Sequence, residues 1–182
     1  RAVPVPPRIG RRRINVCRER TMFMKTAICP GSFDPVTLGH LDLFRRALTA
    51  FDRLIVLVMQ NGAKRPVFSL EERCALIRAS AGDLPGLEVD TFSGMTTDYT
   101  AAHGVDVIVK GVRNATDFDY ETSIAAVLRS YGGPETLLLP CSPQTAHIST
   151  STALHLFSLN QDVSAYLPEP VIAALHARRH NV

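Results

Sequence analysis

The stretch Cys29-Pro30-Gly31-Ser32-Phe33-Asp34-Pro35-Val36-Thr37-Leu38-Gly39-His40 decides how this chain is read. A short apolar run, residues 26–29, precedes it, and a helix-like run, residues 41–51, follows it. A strand that ends in a Gly/Pro-rich turn and enters a helix builds an anion site. Glycine lets the main chain approach a ligand, and the unpaired N–H groups of the first helical turn face a phosphate. His40 stands where that helix begins, so its imidazole can point at the same phosphates. Taken singly, these residues are ordinary. Pro30-Gly31 and Asp34-Pro35 are common turn formers, and a single His beside a helix start is more often structural than catalytic. Their occurrence together, in register on a strand–turn–helix frame, is what points to a nucleotide site.

The rest of the chain continues the same alternation. Residues 53–59 (Arg-Leu-Ile-Val-Leu-Val-Met) form a near-continuous apolar run, as a strand buried on both faces of a parallel sheet does. Ser69-Leu70-Glu71-Glu72 is a capping box and predicts a helix to about Ala81. Strands are expected over 87–91, 105–109 and 136–139. Helices are expected over 96–103, stopped by Gly104, and over 117–131, ended by Gly132-Gly133. Two more, over 149–159 and 168–179, close the chain. Alternating strands and helices predict an α/β, Rossmann-like, doubly wound five-stranded parallel sheet with helices on both faces. Ligands bind such sheets beyond the carboxyl ends of the strands, at the switch point of strand order.

Three further segments fall at that edge. Lys64 lies in the turn-rich loop Asn61-Gly62-Ala63-Lys64-Arg65-Pro66, where a cation offsets phosphate charge. Most lysines are simply solvated. Lys110-Gly111-Val112-Arg113 follows a buried strand and offers two fixed cations beside a permissive glycine. Asp117 reads as a helix N-cap, and Glu121 one turn later could accept from a ribose or position Arg113. His147-Ile148-Ser149-Thr150-Ser151 opens another helix, with hydroxyls and N–H groups suited either to capping or to a phosphate.

These segments resemble motifs of the nucleotidylyltransferase superfamily. The first matches G-[ST]-F-D-P-x-[TH]-x-G-H, and Thr37 at the first variable position resembles the phosphopantetheine adenylyltransferase family. The run from Lys110 to Glu121 is similar to [RK]-G-[LI]-R-x-x-x-D-[FY]-x-Y-E, and Ile148 to Ser151 is similar to I-S-S-S. Asp162 to Val171 resembles a D-V-S-x-x-[LV]-P-x-x-V tail, to which a packing role is assigned. The resemblance covers residues 24–177 in order and implies transfer of AMP from ATP to 4'-phosphopantetheine, with release of pyrophosphate. It implies catalytic roles for His40, Lys64 and Ser32. It implies ATP binding by Ser32, Phe33, His40, Gly111, Val112, Arg113, Glu121, Ile148, Ser149, Thr150 and Ser151. Ser32, Lys64, Thr96 and Lys110 would bind the acceptor. Mg²⁺ would arrive with ATP, and no carboxylate cage for a metal is visible. Family members are typically hexamers, so a homo-oligomer is expected. The chain departs from the family at Val127-Leu128, where an Asn often serves the pantetheine arm, at Thr145, which replaces an aromatic residue, and at Asn160-Gln161. Another phosphorylated acceptor therefore stays open as an alternative, as does a catalytically silent nucleotide sensor. A universal-stress-like ATP-binding module of similar topology would lack the first motif.

Composition agrees with this class. The chain has 182 residues, 46% of them hydrophobic, which is ordinary for one globular domain. Of the formal charge of +3, residues 1–23 contribute +6, with seven Arg against Glu19, which leaves the remainder at −3. A mildly acidic body gives no argument for nucleic acid. Residues 1–23 are read as a disordered basic extension outside the fold, as such termini are where disorder concentrates, and residues 24–182 as one domain. Four cysteines without C-x-x-C spacing suggest neither a disulfide framework nor zinc. No apolar run has transmembrane length, and a cytoplasmic location without membrane contact is expected.

Overall fold

The computed structural model describes residues 25–60 and 65–179. The expected basic extension, residues 1–23, and Lys64 lie outside the described residues. Five parallel strands, β1 (Thr26–Gly31), β2 (Arg53–Met59), β3 (Leu87–Phe92), β4 (Val107–Val112) and β5 (Glu135–Pro140), form one sheet in the order β3-β2-β1-β4-β5. Six helices accompany them: α1 (Leu38–Ala47), α2 (Leu70–Ala81), α3 (Thr96–His103), α4 (Ala115–Ser130), α5 (Thr150–Ser158) and α6 (Glu169–Arg179). The doubly wound architecture read from the sequence is the one observed.

The period of two in the strands sorts the core onto two faces. Ala27, Cys29, Leu54, Val56, Val58 and Val109 pack with residues of α1, α2, α5 and α6. Ile28, Ile55, Leu57 and Ile108 point the other way, against Tyr99 of α3 and Leu128 of α4. The second face is thinly covered, since α4 has no buried residue among its sixteen. The tail from Asp162 packs as expected, with Val163, Leu167 and Val171 buried. It also caps α1, because Leu38 N–H donates to the Tyr166 carbonyl at 2.9 Å.

Several boundaries move. β1 runs through Pro30 to Gly31, and β4 starts at Val107 rather than 105. Helix α1 begins three residues before the expected 41 and stops at Ala47 rather than 51. The cause is a capping box built from Thr37 and His40, a pairing that the usual Ser/Thr-x-x-Glu/Gln pattern does not anticipate. The box at Ser69 and Glu72 forms as read.

One buried ion pair ties the β1–α1 loop to α2. Arg73, 3% exposed, donates through Nε to the Phe68 carbonyl at 2.8 Å and through Nη1 to the Ser32 carbonyl at 3.2 Å. It lies 3.5 Å from the Asp34 carboxylate, which itself accepts the main-chain N–H groups of Val67 and Phe68, each at 2.8 Å. Removing the guanidinium would leave the Asp34 carboxylate half-buried without its cation, and main-chain oxygens without this donor. Arg73→Leu is therefore expected to cost about 3 kcal/mol of stability, measured by urea unfolding. A cost below about 1 kcal/mol, the range of surface pairs, would show the clamp to be idle.

Candidate active site

The site begins where the two central strands part. The β1–β4 ladder pairs Ala27 with Val107 and Ile28 with Ile108 and then ends. Each strand stays paired on its other side, β1 to Gly31↔Val58 and β4 to Val112↔Pro140. The Pro30 carbonyl faces the gap and accepts from Lys110 Nζ at 3.2 Å. Proline has no N–H to offer on that side, so its place in a central strand leaves no ladder donor unpaired. Beyond the gap lies an open cleft of about 740 Å³, floored by Gly31, Ser32, His40, Gly111 and Arg113 and walled by residues 148–151. A side chamber of about 390 Å³ adjoins it and shares Ser32, Lys110 and Glu121.

His40 is oriented by its own helix. Thr37 N–H donates to His40 Nδ1 at 3.0 Å, and His40 N–H donates to Thr37 Oγ1 at 3.3 Å. A main-chain N–H can only donate, so Nδ1 carries the lone pair and the ring proton resides on Nε2. Phe33 braces the ring edge-on at 5.0 Å between centroids. Burial first, then the charges of Arg113 and Lys110, push the imidazole down to about 4. The result is a neutral N–H donor held at the floor of an electropositive cleft.

The cations are held in pairs. Lys110 Nζ lies 3.3 Å from Glu121 Oε1. Arg113 makes a fork with Asp117, at 2.8 Å from Nε to Oδ2 and 3.2 Å from Nη2 to Oδ1, and reaches the Ile148 carbonyl at 3.4 Å. The Arg113 hydrogen bond holds the Asp117 carboxyl below its ordinary range. Two readings of the sequence are corrected. Asn114, not Asp117, caps α4, its Oδ1 accepting Asp117 N–H at 2.9 Å. The helix starts two residues earlier than expected, which moves Asp117 inward to Arg113. Glu121 then faces Lys110, and it is Asp117 that orients Arg113.

Two helix N-termini meet at the cleft, and neither α1 nor α5 has an acidic residue in its first turn. Ser149 caps α5, accepting Thr152 N–H at 3.1 Å, and Thr150 Oγ1 donates to the Pro35 carbonyl at 3.3 Å. The cap takes the Thr152 N–H, so it is the N–H groups of Thr150 and Ser151 that remain for an anion. Packing is close at Gly111 as well: a Cβ there would sit 3.1 Å from Leu43 Cδ2 of α1, which would have to give way.

Most residues singled out in the sequence come together. Ser32, Phe33, His40, Lys110, Gly111, Arg113, Glu121, Ile148, Ser149, Thr150 and Ser151 all line the main cleft. The Phe33 ring, however, is buried under Gly31, on a backbone with φ of 44°, so it is the main chain that meets the cleft. Val112 is packed in the sheet and lines neither cavity; its carbonyl accepts Cys141 N–H at 2.8 Å. Thr96 is buried, donates to Met59 Sδ at 3.5 Å, and lines the side chamber only. Sequence reasoning missed the clamp of Asp34 and Arg73. Its signal was an Arg on the stripe Leu70, Arg73, Cys74 and Ile77, an otherwise apolar helical spacing.

A model of the cytidylyltransferase-like family matches residues 28–154. The chain belongs to this family. The match spans the β1–α1 loop and His40 and ends inside α5, so it contains every cleft residue named above. Its general chemistry is nucleotidyl transfer. Among solved structures, the chain is similar to a protein of Vibrio parahaemolyticus assigned as a nicotinate-nucleotide adenylyltransferase. Identity is 20%, with 85% of this chain and 93% of that chain covered and a TM-score of 0.60. A lipopolysaccharide core biosynthesis protein of Thermoplasma volcanium GSS1 matches at 22% identity and a TM-score of 0.49, covering 66% of this chain and 98% of that chain. At these identities the likeness concerns the fold. Among the described residues no helix is long and apolar enough to cross a membrane.

The tautomer and charge of His40 are open to direct measurement. In ligand-free protein its imidazole should titrate far below the ordinary 6.5, near 4, with Nδ1 unprotonated in the neutral form. A bound triphosphate should raise that midpoint, because negative charge favours the imidazolium. Nitrogen-15 NMR titration reads both quantities, and a ligand-free midpoint at or above 6.5 would contradict this electrostatic picture.

Proposed function

We propose that this family member transfers AMP from ATP to 4'-phosphopantetheine, releasing pyrophosphate. The observation that carries the reading is the pair of adjoining cavities with Lys110 at their junction. The larger has two helix N-termini and His40 for a triphosphate. The smaller is lined by Met59, Ile108, Ile124 and Leu128, and suits the uncharged arm of an acceptor whose phosphate reaches back to Lys110. In the reaction an oxygen of the acceptor phosphate attacks the α-phosphorus. A new P–O–P bond forms, the bond to the bridging oxygen breaks, and that oxygen leaves with its electron pair as pyrophosphate. No proton needs to move, so the protein acts by alignment and charge stabilisation.

His40 Nε2–H would donate to the α-phosphate oxygens as charge develops there. The α5 N-terminus and Arg113 would hold the remaining phosphates, and Ser32 would orient the attacking group. Lys64 would serve as a second acceptor cation; the adjacent Arg65 lines the cleft. Among the described residues no cluster of His, Cys, Asp or Glu could hold a metal ion. In this reading Mg²⁺ arrives with the nucleotide, whose phosphates supply its ligands. A different phosphorylated acceptor is the second reading, and it is favoured by Leu128, which puts an aliphatic side chain on the side chamber.

The test is pyrophosphate release with ATP and CTP against phosphopantetheine, nicotinate mononucleotide and phosphocholine. ATP with phosphopantetheine should turn over fastest. Release with another acceptor would replace the substrate, and no release with any pair would leave a nucleotide sensor. His40→Ala should lower kcat by about a hundredfold or more while ATP affinity changes little. A variant that keeps most of its turnover would remove His40 from the mechanism.

We also propose that copies of the chain associate through α4. Val127 and Tyr131, the C-cap residue, stand one turn apart at the end of α4 and are 49% and 64% exposed. Large apolar side chains aligned along one helix mark an interaction surface. Val127→Lys with Tyr131→Asp should reduce the mass measured by light scattering to that of one chain. A wild type that is already monomeric, or a variant mass equal to that of an oligomeric wild type, would place association elsewhere or exclude it.

A further inference from the structure

Helix α1 carries more than His40. Two residues on, Asp42 Oδ2 accepts a hydrogen bond from Ser142 Oγ at 2.7 Å and a long one from Thr145 Oγ1 at 3.5 Å. One turn further, Arg46 lies 3.6 Å from Asp42 and donates to the Pro140 carbonyl at 2.7 Å. The segment between β5 and α5 is thus fastened to α1 at Pro140, Ser142 and Thr145. That segment is itself a chain of turns. Thr145 N–H donates to the Ser142 carbonyl at 2.9 Å, and Ile148 N–H donates to the Thr145 carbonyl at 3.0 Å. Ile148 directly precedes Ser149, the α5 cap. Thr145, Ile148 and Ser149 all line the cleft.

We infer that Asp42 is a positioning residue that fixes the α5 N-terminus and its preceding loop at a set distance from His40. The inference rests on the nucleotide reading of the cleft. The physical argument is one of scale. Asp42 and Arg46 lie at the rim, with side chains 27% and 37% exposed, where ion pairs and hydrogen bonds add little to stability. The same contacts join the reacting end of the cleft to its far wall through one rigid helix. A displacement of about 1 Å between groups that grip one ligand can cost on the order of a hundredfold in rate. Asp42 touches no ligand in this scheme; it acts through Ser142 and Thr145.

The experiment is calorimetric binding of adenosine 5'-(α,β-methylene)triphosphate with Mg²⁺, and separately of phosphopantetheine, to the full chain. The variants are Asp42→Ala, Asp42→Asn and Ser142→Ala, each with its thermal midpoint recorded. Asp42→Ala should weaken the nucleotide analogue by about tenfold, leave phosphopantetheine unchanged and keep the midpoint close to wild type. Asp42→Asn should bind nearly as wild type, because its amide oxygen still accepts from Ser142. Ser142→Ala, which unburies no charge, should weaken the analogue by a smaller factor in the same direction, and it stands in if Asp42→Ala fails to fold. Equal nucleotide binding by wild type and these variants overturns the inference alone. A loss shared by both ligands, or one that follows a fall in the midpoint, makes Asp42 structural and overturns it too. A wild-type chain that binds no nucleoside triphosphate overturns the reading beneath it, and the inference with it.

Discussion

The site depends on a hydrogen-bond ladder that stops. β1 and β4 are neighbours in the sheet, but their pairing ends at Ile28 and Ile108. At this point strand order reverses, and the helices that follow the two strands leave to opposite faces. Diverging connections open a crevice that continuous pairing would close. Pro30 removes the main-chain donor that could otherwise have extended the ladder, and the Lys110 ammonium takes up the vacant carbonyl. One chemical feature, the proline nitrogen, therefore both frees space between the strands and helps set a cation at the mouth of that space. The loop after Gly31, the α1 cap and the start of α4 all hang from the two strands that part here.

The electrostatics of the cleft follow from what is paired before any ligand arrives. Lys110 is shared by Glu121 and Pro30, and Arg113 is forked on Asp117. Such partners hold long, flexible cations in one rotamer, so less side-chain entropy is lost when an anion binds. They also temper the field, because each guanidinium or ammonium already has a counter-charge. Neutral His40 fits this balance. A third permanent cation beside Lys110 and Arg113 would be repelled, and burial adds to the cost. As a neutral donor with its proton fixed on Nε2, it can respond to charge that develops on a phosphate without first losing a proton.

Much of this could be read from the sequence, and the misreadings share a cause. β2 and α3 fall on the expected bounds because an apolar run and a terminal glycine mark them locally. The doubly wound order was legible because alternation of strand and helix leaves few topologies. The end of β1 was misplaced because Pro-Gly reads as a turn, whereas a proline whose missing N–H faces a gap can stay in a strand. The start of α1 was misplaced because a histidine filled the role usually taken by Glu or Gln in a capping box. Asp117 was read as the cap, and Glu121 as one possible partner of Arg113, because the Asn114 cap was not recognised; with α4 starting at Ala115, Asp117 pairs with Arg113 and Glu121 with Lys110. The segments were correctly identified; their ends were set by an unusual local cap or by tertiary context that the linear pattern does not carry.

The two cavities were not equally legible, and the difference is chemical. A phosphate site draws on few residue types, namely glycines, hydroxyls, cations and helix starts, at spacings the backbone dictates. The motifs that encode it therefore survive in a single sequence. The side chamber is formed by Met59, Ile108, Ile124, Ala125 and Leu128 from three separate elements, with Thr96 from a fourth. Apolar residues at those positions are also what any core would contain, so nothing in the linear pattern separates a pocket wall from packing. What distinguishes them is the open face of α4, whose apolar side chains find too little protein to cover them within one chain. The chamber exists because α4 stands off the sheet: its inward residues line a space, and its outward residues stay exposed. The shape of the side chamber and the exposure of that helix are thus two consequences of one loosely seated element.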